Sequence, residues 1–152
     1  MKFAGTLSIP DDAFIAVLMG ASRSLKQHGF LDIVLIGDSG NYQSQLKEVA
    51  QRLNREWATS RTRVHHVAAY YRAASDDFAQ ALRARGMRDD QIGTHAGLAD
   101  TSLMMALDPS HIRVEKLRGP GVSAASGVSG DPAESSAALG RLGTGIIVDT
   151  TV

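Results

Sequence analysis

Apolar and polar positions alternate along the chain with two different periods. Phe14, Val17, Leu18, Ala21 and Leu25 recur at helical spacing after Pro10, and Asp11 and Asp12 offer an N-cap and first-turn negative charge. The pattern predicts a helix from there to about Gly29. Phe30 to Ile36 is then a short, largely apolar run rich in β-branched residues, with Ile33 to Ile36 expected to be central in its sheet and covered on both faces. It breaks at Gly37-Asp38-Ser39-Gly40-Asn41. A second amphipathic stretch follows from Tyr42 to Trp57, with Leu46, Val49, Ala50, Leu53 and Trp57 on one face. Arg63 to Tyr71 contains a second strand, and the strand–helix–strand order implies a parallel crossover.

The flanking segments are less periodic. Phe3 to Ile9 reads as a short extended piece closed by Pro10. Ser75-Asp76-Asp77 is placed to cap a helix carrying Phe78, Ala81 and Leu82 and ending at Gly86. Arg88 to Thr94 is a polar connection. His95 to Leu107 reads as a loop running into a helix that stops at Asp108-Pro109, because a residue before proline resists the α region. Gly119 to Gly130, rich in Gly and Ser, is expected to be a mobile loop or lid. Asp131-Pro132-Ala133-Glu134 has the order of a helix start: N-cap, N1 proline and an acid at N3. Ile146-Ile147-Val148 fits either a last strand or a helical turn.

Composition narrows the function classes. The 152 residues, 43% of them apolar, suffice for one domain with a real core. Sixteen basic and sixteen acidic residues balance without bunching, so nothing points to nucleic acid or an anionic membrane. The absence of cysteine excludes disulfides, thiol nucleophiles and thiolate metal sites. No apolar run approaches the roughly 20 residues of a membrane span. Met1-Lys2-Phe3 is not followed by a signal-peptide core, so the expected location is the cytoplasm.

The residues with chemistry to offer sit at element ends. Gly37-Asp38-Ser39-Gly40-Asn41 matches the nucleophile elbow G-x-S-x-G except at its last position. There Ser39 would be exposed at a strand-to-helix turn, with the Gly40 and Asn41 amides as oxyanion donors. The same residues are ordinary turn formers. His95, at a loop-to-helix junction with Asp100 five residues on, fits a general base with an orienting carboxylate; it also fits a solvated loop histidine. His65 and His66 alternate on a strand and read as structural. His28 and His111 lie at helix ends. No H-x-H or H-E-x-x-H spacing occurs, and Asp38, His95 and Asp100 are the only candidate metal ligands near the strand ends.

Several stretches together resemble the creatininase (creatinine amidohydrolase) family. Phe3-Ala4-Gly5-Thr6-Leu7-Ser8 is similar to its F/Y-P-G-T-I-S segment, and Gly29 to Asn41 to its strand followed by N-G-H-G-G-N. His95-Ala96-Gly97-Leu98-Ala99-Asp100-Thr101-Ser102 is similar to H-A-G-x-x-E-T-S, and Gly127 to Pro132 to a later G-V-x-G-D-P turn. The resemblance spans nearly the whole chain. It implies one α/β domain over residues 1–152, a three-layer α/β/α sandwich on a mostly parallel sheet. It also implies C–N bond hydrolysis by metal-activated water, and a homo-oligomer.

The family's early E-x-x-H…D segment, which supplies most ligands of its two-metal centre, has no counterpart here. The expectation is therefore a member truncated at its N-terminus. The family's metal-binding histidine is matched by Asp38 or Ser39, its H-A-G glutamate by Asp100, and its catalytic histidine by His95.

The sequence reading is thus a small hydrolase of ester or amide bonds in small molecules, with Ser39 as nucleophile, His95 as base and Asp100 as orienting acid. That reading requires no cofactor. Its first alternative is a metal-dependent amidohydrolase with zinc or manganese at Asp38, His95 and Asp100. A second is an esterase of the SGNH/GDSL kind, since Gly37-Asp38-Ser39 resembles its GDS block and Asp108-Pro109-Ser110-His111 its D-x-x-H. A third is an inactive remnant or an oligomeric binding protein.

Overall fold

The computed structural model describes residues 7–119 and 122–152, and the chain divides into two compact units meeting in sequence at Tyr71 and Arg72. The first unit runs α1 (Asp11–Gln27), β1 (Asp32–Leu35), α2 (Gln43–Glu56), β2 (Arg63–His66) and the start of α3 (Ala68–Arg72). β1 and β2 are parallel, with Ile33 beside Val64 and Leu35 beside His66. The expected α/β fold on a parallel sheet is present. The first extended piece, from Phe3, falls mostly outside the described residues, and Leu7 to Pro10 has no regular structure.

The core of this unit is the α2 face read from the sequence: Val49, Ala50, Leu53 and Trp57 pack with Ile33 and Val64. The face that α1 presents differs from the expected stripe. Ile15, Leu18 and Met19 meet the core and Ser22 is buried, while Val17, Ala21 and Leu25 are exposed. The helix is apolar around much of its circumference, so spacing alone did not choose the face. β1 also departs from expectation. Its only strand neighbour among the described residues is β2, and Val34 is 57% exposed. A continuous apolar run signals two coverable faces, not that both covers belong to the same described residues.

α1 is tied to the end of α2 through Glu56. Arg23 donates to both carboxylate oxygens at 3.2 and 2.7 Å, Trp57 Nε1 donates to Oε1 at 3.1 Å, and Lys26 Nζ lies 4.5 Å from the centre of the Trp57 ring. Arg23, before other contributions, holds the Glu56 carboxyl below the usual range.

The second unit continues through a π turn (Ala73–Asp77) into α4 (Phe78–Arg83), then α5 (Asp89–Ile92), α6 (Leu98–Leu107) and α7 (Ala137–Thr151). Phe78, Ala79, Leu82, Ile92 and Leu98 form its core. Ser75-Asp76-Asp77 is not a cap: it lies inside the π turn, where the Phe78 N–H donates to Ala73 C=O. The polar connection before His95 hides one helical turn, α5, whose Ile92 is 3% exposed.

Asp131 does cap the next turn, its carboxylate accepting from Ala133 N–H at 2.9 Å, but that turn ends at Glu134. Ser135 and Ser136 are extended. Ser135 Oγ donates to Leu98 C=O, Ser136 N–H donates to Ser102 Oγ, and Ser136 Oγ then caps α7 through Leu139 N–H. These hydroxyl bonds restart the helix five residues later than the sequence suggested. Ile146 to Val148 are helical. No helix among the described residues is long and apolar enough to cross a membrane.

Candidate functional site

In the first unit the corner after β1 is built by its own side chains. Ser39 is extended, and its Oγ accepts from Asn41 N–H at 3.3 Å, capping a 3-10 turn over Gly40–Tyr42. Tyr42 Oη donates to Asp38 Oδ1 at 2.9 Å. Gln43 is the hub. Its amide donates to the carbonyls of Gly37 (2.8 Å) and Ser39 (3.0 Å), and its Oε1 lies 3.0 Å from His66 Nε2. The Gln43 oxygen can only accept, so the His66 proton sits on Nε2.

At two glycines here a side chain would crowd a tyrosine. A Cβ on Gly37 would run into the Tyr42 ring, and one on Gly40 would approach the Tyr71 hydroxyl at 2.6 Å. A groove of about 370 Å³ opens beside the corner, lined by Leu7, Ser8, Ile9, Asp11, Phe14, Asn41 and Tyr42.

Ser39, Gly40 and Asn41 thus lie at the carboxyl end of a parallel strand, where open α/β sheets bind ligands. Sequence reasoning missed Gln43; His66, read as structural, braces it. The signal was present: His66 ends β2 on the face shared with Val64, at the level of the corner after Leu35. Burial first, and then nearby Lys47, push its imidazole below the ordinary value.

A folded-state pKa below the unfolded one means that the unfolded chain binds the proton more readily between the two values. Stability therefore rises with pH through that window and falls on acidification below the ordinary histidine range, about 6.5. His66→Gln should flatten the slope of the urea midpoint between pH 7 and 5. An unchanged slope would show that another group carries it. The depressed carboxyls of Glu56, Asp90 and Asp108 lose their contribution only at lower pH, as each is protonated.

In the second unit His95 sits on a loop held from several sides. Its N–H donates to Ser129 C=O at 3.3 Å, and its C=O accepts from Ser129 N–H at 2.7 Å. Thr94 adds a backbone bond to the same carbonyl and a hydroxyl bond to Ser129 Oγ. Ala96 follows with φ +52°, the one described non-glycine residue at positive φ. Its N–H is held by Asp100 Oδ2 at 2.8 Å. Asp100 therefore acts on the backbone beside His95, and no hydrogen bond joins the two side chains among the described residues.

The loop expected to be a lid is, at its Val128–Gly130 end, part of this mount. Pro120 and Gly121 lie outside the described residues. Farther along, Asp108 spends its carboxylate on Ser110, at 2.6 Å to the hydroxyl and 2.9 Å to the N–H, and lies 3.5 Å from His111 Nε2. The Ser110 bonds, more than His111, lower its pKa.

Among the described residues no group of three or more His, Asp or Glu side chains converges on a point where an ion could be held. Asp38 is engaged by Tyr42 and Asp100 by Ala96. Within its own unit each of these two carboxylates thus already has a hydrogen-bond donor.

The family model described as Creatininase: Creatinine amidohydrolase matches residues 1–152. Two solved structures share the fold. A tryptophan-to-alanine mutant of a creatininase is 21% identical with a TM-score of 0.71. A second, described as a tryptophan-to-phenylalanine mutant creatininase, Type II, is 20% identical with a TM-score of 0.68. Each alignment covers 97% of this chain but 64% of the solved one, so the chain spans under two thirds of the length of those structures. No curated protein matches the chain.

Proposed function

We propose, on the premise that this chain belongs to the creatininase family, that it hydrolyses an amide or ester bond in a small molecule. Ser39 is the nucleophile and His95 the base. The observation that carries the reading is the mounting of His95. Its main chain is bonded twice to Ser129, and the next residue is held in a left-handed conformation by Asp100. Strained backbone held this way is concentrated at functional sites. Asp100 is then a positioning residue that acts through Ala96, not through the imidazole ring.

Support at the other residue is the Ser39 corner, with its adjoining groove for a small substrate. Ser39 Oγ would attack the substrate carbonyl carbon as its proton passes to His95, and the leaving amine or alcohol takes that proton. Water then hydrolyses the acyl-enzyme. Gly40 and Asn41 N–H would receive the oxyanion, the latter after releasing Ser39 Oγ. The reading also expects a homo-oligomer.

Family membership favours a second reading, metal-dependent amide hydrolysis, and one set of assays separates the two. Hydrolysis of a p-nitrophenyl ester that survives a chelator, and is lost to a serine-directed phosphonate, is the expected result. Ser39→Ala and His95→Ala should each lower kcat/KM by about 1,000-fold or more, and the double variant should cost little beyond either single one, as for residues acting as a unit. Full activity in Ser39→Ala would end the serine reading. Activity on creatinine that disappears with chelator and returns with zinc or manganese would establish the second.

A further inference from the structure

An oxyanion donor has to be aimed before the charge develops. Asn41 N–H is occupied at rest, donating to Ser39 Oγ at 3.3 Å. Gly40 N–H has no acceptor among the described residues, and Gly40 is exposed, so this is the donor a substrate can reach at once. Gly40 follows Ser39 through a planar trans peptide, in which the C=O of one residue and the N–H of the next point in opposite directions. Whatever holds Ser39 C=O therefore aims Gly40 N–H the other way. Gln43 holds it: its Nε2 donates to Ser39 C=O at 3.0 Å and to Gly37 C=O at 2.8 Å. The two bonds use both protons of the amide and pin the peptides at either end of Asp38-Ser39.

We infer that Gln43 is a positioning residue for the reaction: it aims the Gly40 N–H at the substrate oxyanion through the Ser39–Gly40 peptide, with His66 as its brace. The inference rests on the serine reading and adds to it the group that preorganises the donor. A glutamine amide can turn over about its last bond, which would set Oε1 against two carbonyl oxygens and break both bonds. His66 prevents this. From the end of β2 its Nε2–H donates to Oε1 at 3.0 Å, so the amide meets the corner by its nitrogen. Gln43 is half-buried and uncharged, so it fixes the donor without placing a charge beside the developing oxyanion.

A p-nitrophenyl ester compared with the matching thionoester reads this directly. Sulfur accepts hydrogen bonds poorly, so the ester-to-thionoester ratio of kcat/KM measures how far N–H donors stabilise the oxyanion. Gln43→Met keeps the length of the side chain and removes the amide. It should lower kcat on the ester by about 10- to 100-fold with KM little changed, and narrow the ratio by about the same factor. A role in stability alone would slow both substrates alike and leave the ratio where it was. Gln43→Lys brings N–H donors back and should recover part of the ratio. His66→Leu frees the amide to turn and should narrow the ratio by less; it reads the inference even if Gln43→Met does not fold. An unchanged ratio in Gln43→Met or His66→Leu, with Ser39→Ala inactive, would overturn the inference and leave the serine nucleophile standing. Full activity in Ser39→Ala would overturn the serine reading, and the inference with it.

Discussion

Gly93→Ala should destabilise the second unit by about 3–5 kcal/mol, from one added methyl group. Gly93 closes α5 with φ +67° and ψ −175°, a region that side-chain-bearing residues essentially do not enter. The space there is also filled. A Cβ on Gly93 would strike the Ser129 carbonyl and lie 2.5 Å from Gly130 Cα, while one on Gly97 would lie 2.9 Å from the same carbonyl. These neighbours are main chain and cannot swing aside, so the His95–Ser129 bridge has to open. Gly86 separates the two causes. Its φ is +86°, yet nothing lies within 4 Å of a Cβ built there. Gly86→Ala should cost only the left-handed penalty, about 1–2 kcal/mol. Urea unfolding followed by circular dichroism gives both values. Equal costs would show that the packing of Gly93 on Ser129 carries no weight. Under the proposed chemistry, Gly93→Ala should also lower kcat at a temperature where it is still folded.

Trp57→Ala should cost the first unit about 3–5 kcal/mol, the usual range for deleting a buried aromatic side chain. Trp57 is 4% exposed at the end of α2, against Leu53 and the Ile33–Val64 strand pair. Lys26 lies over its ring, and its Nε1–H is held by the Glu56 carboxylate that also binds Arg23. Trp57→Phe keeps most of the packing and loses the N–H bond, so it should cost well under half as much. Trp57 is the only tryptophan, so circular dichroism, not fluorescence, must be the probe. Arg23→Ala should change little, because Arg23 and Glu56 are well exposed and screened by solvent. A Trp57→Ala protein as stable as the parent would mean that this contact does not organise the unit.

Much of the first unit was legible because α2 is polar except on one face and β1 is apolar within a short span. The corner at Gly37 to Asn41 followed from the break between them. α1 was harder, since Ile15 and Met19 compete with Val17 and Ala21 for the inward position and only the tertiary partner decides. The same holds for β1, where the run from Ile33 to Ile36 cannot say whether Val34 is covered. In the second unit the errors come from local geometry that composition does not encode. Ser75-Asp76-Asp77 has the composition of a cap, but a π turn absorbs it. The glycines and serines before Gly130 read as slack, but Gly93, Gly97 and Gly130 meet main chain to main chain and fix that end in place. His95 was found by its neighbours in sequence. Gln43 was passed over because its role arises from hydrogen bonds across six and twenty-three positions.

Deleting Asp76 should be tolerated far better than deleting any single residue of α2. The π turn encloses one residue more than an α-helical turn, as the bond from Phe78 N–H to Ala73 C=O shows. Loss of one exposed residue lets that stretch close with ordinary spacing, and Phe78, Ala79 and Leu82 need not turn away from their core. In α2 the same loss would rotate everything beyond it by about 100° and carry Leu53 out of its packing. The helix between Ala73 and Asp77 holds a spare length of one residue, a point at which the gene can shorten without the fold having to be rebuilt.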